Sequence, residues 1–234
     1  MRFIYDRVMN GSDTVNDPLY FNKNSYGRIT VNESCNCCEK CIEECLVKAI
    51  GKEDGKIIID RKKCIYCGNC IDVCGTSAIE NSHDYKMASI ETVGDKLREK
   101  IYKRFKRSLV LRSFDSGSCN ACMSELSAMS NTYYSLSRYG IEFAASPRHS
   151  DGIVVTGPVT INMKEALTKT YNAMPEPKIV IAIGACAHEG GIFKESYGTV
   201  NMLKEILPVD LTIPGCPPSP QAIIYGLLKL LNRV

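Results

Sequence analysis

The chain has 234 residues, 44% of them hydrophobic and 24% charged, with a formal net charge of +3. That length suits one large domain or two modest ones, and the composition is that of a globular protein rather than a disordered one. The small net charge and the lack of an aromatic-rich basic motif argue against a nucleic-acid partner. Thirteen cysteines are too many to serve as core filler.

The opening residues, Met1-Arg2-Phe3-Ile4-Tyr5-Asp6, carry no apolar core of a secretory signal. A reducing compartment is therefore expected, in which grouped thiols read as metal ligands rather than disulfides. The longest uncharged stretch, 211–228, holds Pro214, Gly215, Pro217, Pro218 and Pro220 and is unsuited to a bilayer-spanning helix. Membrane association is expected to come through partners or a surface contact.

In chain order, residues 1–30 mix Asn, Asp, Gly and Tyr without a sustained period and predict an irregular or partly docked leader. Residues 31–80 carry a duplicated run, Cys35-x-x-Cys38-x-x-Cys41-x-x-x-Cys45 and Cys64-x-x-Cys67-x-x-Cys70-x-x-x-Cys74. Between the halves, Asp54-Gly55 followed by Ile57-Ile58-Ile59 is a hairpin signal. This 2-2-3 spacing is that of bacterial two-cluster ferredoxins, in which three thiolates of a run hold one four-iron cube and the fourth ligates the other. By that rule Cys35, Cys38, Cys41 and Cys74 hold one [4Fe–4S] cluster, and Cys64, Cys67, Cys70 and Cys45 the second. A zinc module predicts longer gaps between Cys pairs and often a histidine. The proline usual after the fourth cysteine is replaced by Leu46 and Gly75, which removes no ligand.

Residues 80–95 read as a linker. Across 95–107, Leu97, Ile101 and Phe105 recur every four residues among Lys96, Arg98, Lys100, Lys103, Arg104, Lys106 and Arg107, predicting a basic amphipathic helix. It suits a solvated face docked by its apolar stripe, or a contact with anionic lipid or an acidic partner. From 108 to 234 short apolar runs alternate with helical patterns: strands at 108–114, 141–145, 153–156, 179–183 and 209–213, helices at 122–138, 161–171, 200–207 and 221–231. This predicts an α/β domain with a mainly parallel, flavodoxin-like sheet beside a small α+β bacterial-ferredoxin-like module.

Of the five remaining cysteines, Cys119, Cys122, Cys186 and Cys216 each fall just past the carboxyl end of a predicted strand. That edge of an open parallel sheet is where ligands bind, so the four are expected to make one four-thiol site. Glycines flank them in Gly117-Ser118-Cys119, Gly184-Ala185-Cys186 and Pro214-Gly215-Cys216, as tight turns around sulfide require. Cys37 is left over, a bystander in the first ligand loop.

With these residues placed, 108–234 resembles the small subunit of [NiFe] hydrogenases and the homologous B-type, cluster-bearing subunit of respiratory complex I. The matching motifs are Asp115-Ser116-Gly117-Ser118-Cys119-Asn120-Ala121-Cys122, Thr156-Gly157-Pro158-Val159-Thr160, Gly184-Ala185-Cys186 with Gly190-Gly191, and Pro214-Gly215-Cys216-Pro217-Pro218. The two-residue gap between Cys119 and Cys122, followed by Glu125, resembles hydrogenases rather than complex I, whose subunits carry adjacent cysteines there. The resemblance implies a membrane-bound, energy-converting hydrogenase with an N-terminal two-cluster module fused to its small subunit. Three [4Fe–4S] clusters would then relay electrons from soluble reduced ferredoxin to a [NiFe] site in a separate large subunit. Ion-translocating membrane subunits would hold the chain peripherally on the cytoplasmic side of the cell membrane. It also implies that this chain has no catalytic residues or nickel ligands of its own, and it leaves open a related quinone or sulfur-compound reductase lacking nickel.

Glu125, one turn into the helix from Cys122, suits either a proton path to the large subunit or a simple interaction with the helix dipole. His149 is expected near the strand leading to Gly157-Pro158, where it suits tuning of the cluster or lining of the large-subunit interface, or more simply a satisfied polar group. His188, beside Cys186, reads more readily as a satisfied polar group than as a donor to cluster sulfur.

Overall fold

In the computed structural model, which describes residues 9, 11, 15–20, 27–91, 108–200 and 202–234, the first strand, β1 (Ile29–Val31), pairs antiparallel with β4 (Ile79–Asn81). The two ends of the cysteine-rich stretch therefore meet. Between them lie α1 (Lys40–Glu43), the hairpin β2 (Ile50–Glu53) and β3 (Lys56–Ile59), and α2 (Asn69–Asp72). Asp54 and Gly55 close the hairpin at φ of 50° and 74°, the doubly left-handed turn that Asp-Gly favours.

The duplication seen in the thiols extends to the backbone. Cys37 and Tyr66 occupy equivalent places at φ of 55° and 56°, and Lys48 and Ser77 both lie at 50°. Ala49 and Ala78 each donate a backbone N–H to the sulfur four residues earlier, Cys45 and Cys74, at 3.2 Å. The apolar core of this module is only Ile29, Cys41, Ile50, Ile57 and Ile79.

The segment after β4, read as a linker, contributes the strand β5 (Ser89–Ile90), which pairs antiparallel with the last strand of a six-stranded sheet. The other five, β6 (Leu109–Asp115), β7 (Ile141–Phe143), β8 (Gly152–Thr156), β9 (Ile179–Ile183) and β10 (Leu211–Ile213), run parallel. The spatial order is β7-β6-β8-β9-β10-β5. Without the antiparallel edge this is the flavodoxin order 2-1-3-4-5, the α/β class expected.

Helices α3 (Ala121–Ala128) and α6 (Pro220–Leu230) cover one face, packing Leu126, Ile223, Ile224 and Leu227 on Leu111, Val154, Ile181 and Ile213. On the other, α4 (Ile161–Asn172) and α5 (Ala185–Glu189) pack Leu167 and Ala187 on Ile153, Val155, Val180 and Ala182. Every residue of β8 and β9 is buried, as strands covered on both faces must be.

Two predicted helices come out shorter. The one expected at 122–138 ends at Ala128, because the Asn131 side chain accepts the Tyr134 N–H and Ser135 turns to φ of 47°, sending the Leu136 N–H back to Met129. Side-chain capture of backbone donors competes with helix continuation in this way. Of the one expected at 200–207, the described residues form a single 3-10 turn at Leu203–Glu205, and the Val200 N–H donates to the Val159 carbonyl at 2.7 Å. The basic helix expected at 95–107 lies outside the described residues. Part of the leader docks on the sheet domain: Gln221 donates to the Pro18 and Tyr20 carbonyls at 2.8 and 3.1 Å, and Arg138 to Asn16 at 3.1 Å.

Candidate metal centres

In the small module the thiols fall into two groups, and each takes one member from the other half. Cys41 lies in the electrostatic field of Cys35, Cys38 and Cys74. Cys64 lies in that of Cys70, Cys45 and Cys67, and Cys45, Cys64, Cys67 and Cys70 line one pocket with Ile29, Ile50 and Ile59. The crossing follows from the β1–β4 and β2–β3 pairings, which fold each half back so that its fourth cysteine faces the other half's loop.

A third group forms on the sheet. Cys119 and Cys122 sit on the loop and first turn after β6, Cys186 in α5 after β9, and Cys216 after β10. Cys122 lies in the field of Cys186, Cys216 and Cys119. Four thiols spread over nearly a hundred residues of sequence thus meet at the carboxyl edge of the sheet. None of the thirteen cysteines is paired in a disulfide.

Burial, then the neighbouring thiols, pushes Cys122 up to about 12 and Cys186 up to about 11. Burial likewise leads in raising Cys64 and Cys70 to about 11. Such sets hold their protons against each other's charge unless a cationic body stands among them, which is the electrostatic demand an iron–sulfur core meets. Among the described residues no three His, Cys, Asp or Glu side chains close on one point as a single metal ion requires. Eight of the donors stand at the 2-2-3 spacing of bacterial ferredoxins, whose thiolates hold four-iron cubes.

The loops holding the third group are shaped by contacts the thiols alone do not announce. The Asp115 carboxylate accepts the Gly117 and Ser118 N–H groups at 2.9 and 2.7 Å. Buried Ser116 reaches the Thr156 carbonyl at 2.7 Å, tying the loop after β6 to the one after β8. A side chain at Gly184, where φ is 90°, would stand 2.7 Å from the Cys122 sulfur, and one at Gly191 equally close to that of Cys186. Glycine here makes room for sulfur. The motif residues flagged this loop, but nothing in the pattern marked Ser116 as its clamp.

The remaining candidates separate. Glu125 is half-buried one turn along α3 from Cys122, and burial pushes its carboxyl up. His188 is buried and its imidazole is held low, chiefly by burial. Its ring nitrogens face Thr212 at 3.4 Å and Glu189 at 3.5 Å. His149 does not approach the thiols: it is exposed in the turn before β8, at the amino edge of the sheet. Cys37 donates to the Gly55 carbonyl at 2.9 Å and lines a cavity with Cys35. In the repeat it is the counterpart of Tyr66.

The second group also adjoins both of the others. Cys70 of the second lies in the field of Cys41 of the first, and Cys216 of the third lies in the field of Cys67 of the second.

A flavodoxin-order sheet with thiols at its carboxyl edge, joined to a duplicated cysteine module, defines an iron–sulfur electron-transfer protein. Residues 119–230 match the family described as NADH ubiquinone oxidoreductase, 20 kDa subunit, and residues 57–80 match the 4Fe-4S binding domain. A probable membrane-bound hydrogenase subunit of Pyrococcus furiosus is 46% identical over 120 residues, 51% of this chain and 72% of that one. A B-type NADH-quinone oxidoreductase subunit of Geotalea uraniireducens is 49% identical over 113 residues, 48% of this chain and 66% of that one. Among solved structures, a chain of the membrane-bound sulfane sulfur reductase, an archaeal respiratory membrane complex, aligns at a TM-score of 0.51 and 34% identity over 57% of this chain and 73% of that one. The chain belongs to the family of the 20 kDa subunit of NADH ubiquinone oxidoreductase. It is an iron–sulfur electron-transfer subunit of a hydrogenase-like or complex I-like oxidoreductase.

Proposed function

We propose that the chain holds three [4Fe–4S] clusters and conducts electrons from soluble reduced ferredoxin to a separate [NiFe]-type large subunit in a membrane-bound, ion-pumping hydrogenase. In this reading Cys35, Cys38, Cys41 and Cys74 hold the first cluster, Cys45, Cys64, Cys67 and Cys70 the second, and Cys119, Cys122, Cys186 and Cys216 the third. Each cluster, when bound, takes up and releases electrons singly. What supports the reading is the order of neighbours: Cys70 lies in the field of Cys41 and Cys216 in that of Cys67, so the second group adjoins both of the others.

The chain's own residues tune and guard these groups. The Ala49, Ala78 and Tyr66 N–H groups donate to the sulfurs of Cys45, Cys74 and Cys64 at 3.2, 3.2 and 3.4 Å, and hydrogen bonds to sulfur raise the reduction potential. Glu125, its carboxyl raised by burial, is assigned to a proton path toward the large subunit. A cleft of about 430 Å³ lined by Lys48, Lys63 and Lys194 with Glu195 offers a basic surface to an acidic donor, whose association then weakens as salt rises. Among the described residues no helix is long and apolar enough to cross a membrane. Attachment, on the cytoplasmic side, is assigned to the membrane subunits.

The test is anaerobic purification of the intact complex. About twelve irons per chain, four per cube, with nickel in the large subunit and hydrogen evolved from reduced ferredoxin support the reading; zinc without iron overturns it. The likeness to the sulfane sulfur reductase favours a second reading, in which the large subunit lacks nickel and a sulfur compound or quinone accepts the electrons. Iron without nickel, together with that reduction, selects it.

A further inference from the structure

The step from the second thiol group to the third crosses between the small module and the sheet domain, and one short strap touches both sides of the crossing. Residues 85–91 belong to the sheet domain by their contacts. Ser89–Ile90 pairs with β10, the Glu91 N–H donates to the Asp210 carbonyl at 2.9 Å, and Lys229 donates to the Ala88 carbonyl at 2.8 Å. Gly226 of α6 allows this approach, since a side chain there would stand 3.0 Å from the Ala88 methyl and 2.7 Å from Ile213. Ser89 lies directly opposite Thr212, four residues before Cys216.

The module grips the same strap twice, both times from the loop of the second thiol group. The Lys62 ammonium meets both Glu91 carboxylate oxygens, at 2.5 and 2.7 Å, and Ser89 donates to that carboxylate at 2.6 Å. The Tyr66 hydroxyl reaches the Met87 sulfur at 3.0 Å. Lys62 precedes Cys64 by two residues, and Tyr66 lies between Cys64 and Cys67. Lys62 and Glu91 are only partly exposed, at 35% and 22% of the side chain. An ion pair in that setting, held also by a hydroxyl, is better fixed than a surface pair.

We propose that Lys62–Glu91 and Tyr66–Met87 form a clasp that sets the separation of Cys67 from Cys216, making these four positioning residues for electron transfer between the second and third clusters. The proposal rests on the three-cluster reading. It also gives the two halves of the repeat different tasks: Tyr66 grips the strap, whereas its counterpart Cys37 donates to its own hairpin at Gly55.

The experiment compares the anaerobically isolated full chain with Lys62→Glu and with the swap Lys62→Glu/Glu91→Lys. Iron content, magnetic coupling between the reduced clusters, and amide exchange at Ser89–Glu91 are read in each. Lys62→Glu is expected to keep its iron, lose the coupling assigned to the second and third clusters and exchange faster in the strap, and the swap to restore both. Unchanged coupling and exchange in Lys62→Glu overturn the clasp. A wild-type chain lacking the third cluster's iron overturns the ligand reading instead. The exchange data then decide the clasp alone: faster exchange reversed by the swap supports it, and unchanged exchange removes it.

Discussion

The small module and the sheet domain assemble the same chemical set, four thiols, in opposite ways. The module draws three thiols of each set from one short run and the fourth from the other run, around a core of five residues. The sheet domain draws them from three loops far apart in sequence and relies on a two-faced core of aliphatic strands to bring them together. A site written locally needs its metal to hold the fold, whereas a site written in a topology has a fold that stands without it.

Removing the iron breaks that comparison most forcefully. Chelation under reducing conditions is expected to unfold residues 27–81, with amide protection lost throughout, while the sheet keeps its protection; segment-resolved hydrogen exchange checks this. Global unfolding of both parts would show that the sheet domain depends on its metal as well.

Single ligand changes come next. Cys122→Ser is expected to lose about four irons and leave a cooperative thermal transition for the sheet. Cys45→Ser sharpens the contrast within the module, because it is expected to disturb the cluster of the second half although Cys45 lies in the first. Spectroscopy and iron analysis that assign the loss to Cys35, Cys38 and Cys41 would refute the crossed arrangement.

A smaller effect is expected where the sheet makes room for sulfur. Gly184→Ala puts a side chain at φ of 90° and 2.7 Å from the Cys122 sulfur. It should cost about 1–3 kcal/mol in denaturant unfolding and reduce third-cluster iron, while the module's iron stays.

The smallest effect tests the sheet alone. Asp210 is buried, accepts the Val180 N–H at 2.8 Å, and has its carboxyl raised above the ordinary 3.8 by burial. Its folded form holds the proton more tightly than the unfolded form, so its contribution is complete below 3.8 and is lost as pH rises through the folded value. The slope is no steeper than about 1.4 kcal/mol per pH unit. Asp210→Asn keeps the acceptor and should flatten stability against pH in this window. An unchanged slope would assign it to another group.

Much of this was legible in the residues. The repeated 2-2-3 spacing, the Asp54-Gly55 turn and the aliphatic run 179–183 are local signals, and the hairpin and β9 stand where they were expected. The alternation of strands and helices was enough for a parallel sheet. It overstated the helices at 122–138 and 200–207, in the first of which Asn131 captures a backbone donor that periodicity cannot see. His149 lies just before the strand that leads to Gly157-Pro158, as expected, but at the amino edge of the sheet, so the contact with a cluster that its sequence position left open is not made.

What the sequence determined by itself was the number of thiols, their grouping within the module and the strand ends from which the others come, because spacing and period are properties of the chain. What only the tertiary structure decided was which distant groups become neighbours. The strap at 85–91 read as a linker because two β-residues carry no periodic signal, yet its pairing with β10 brings the module's Lys62 and Tyr66 against the sheet. The approach of Cys67 to Cys216 is a property of that docking, fixed by hydrogen bonds and an ion pair between residues that no local pattern relates.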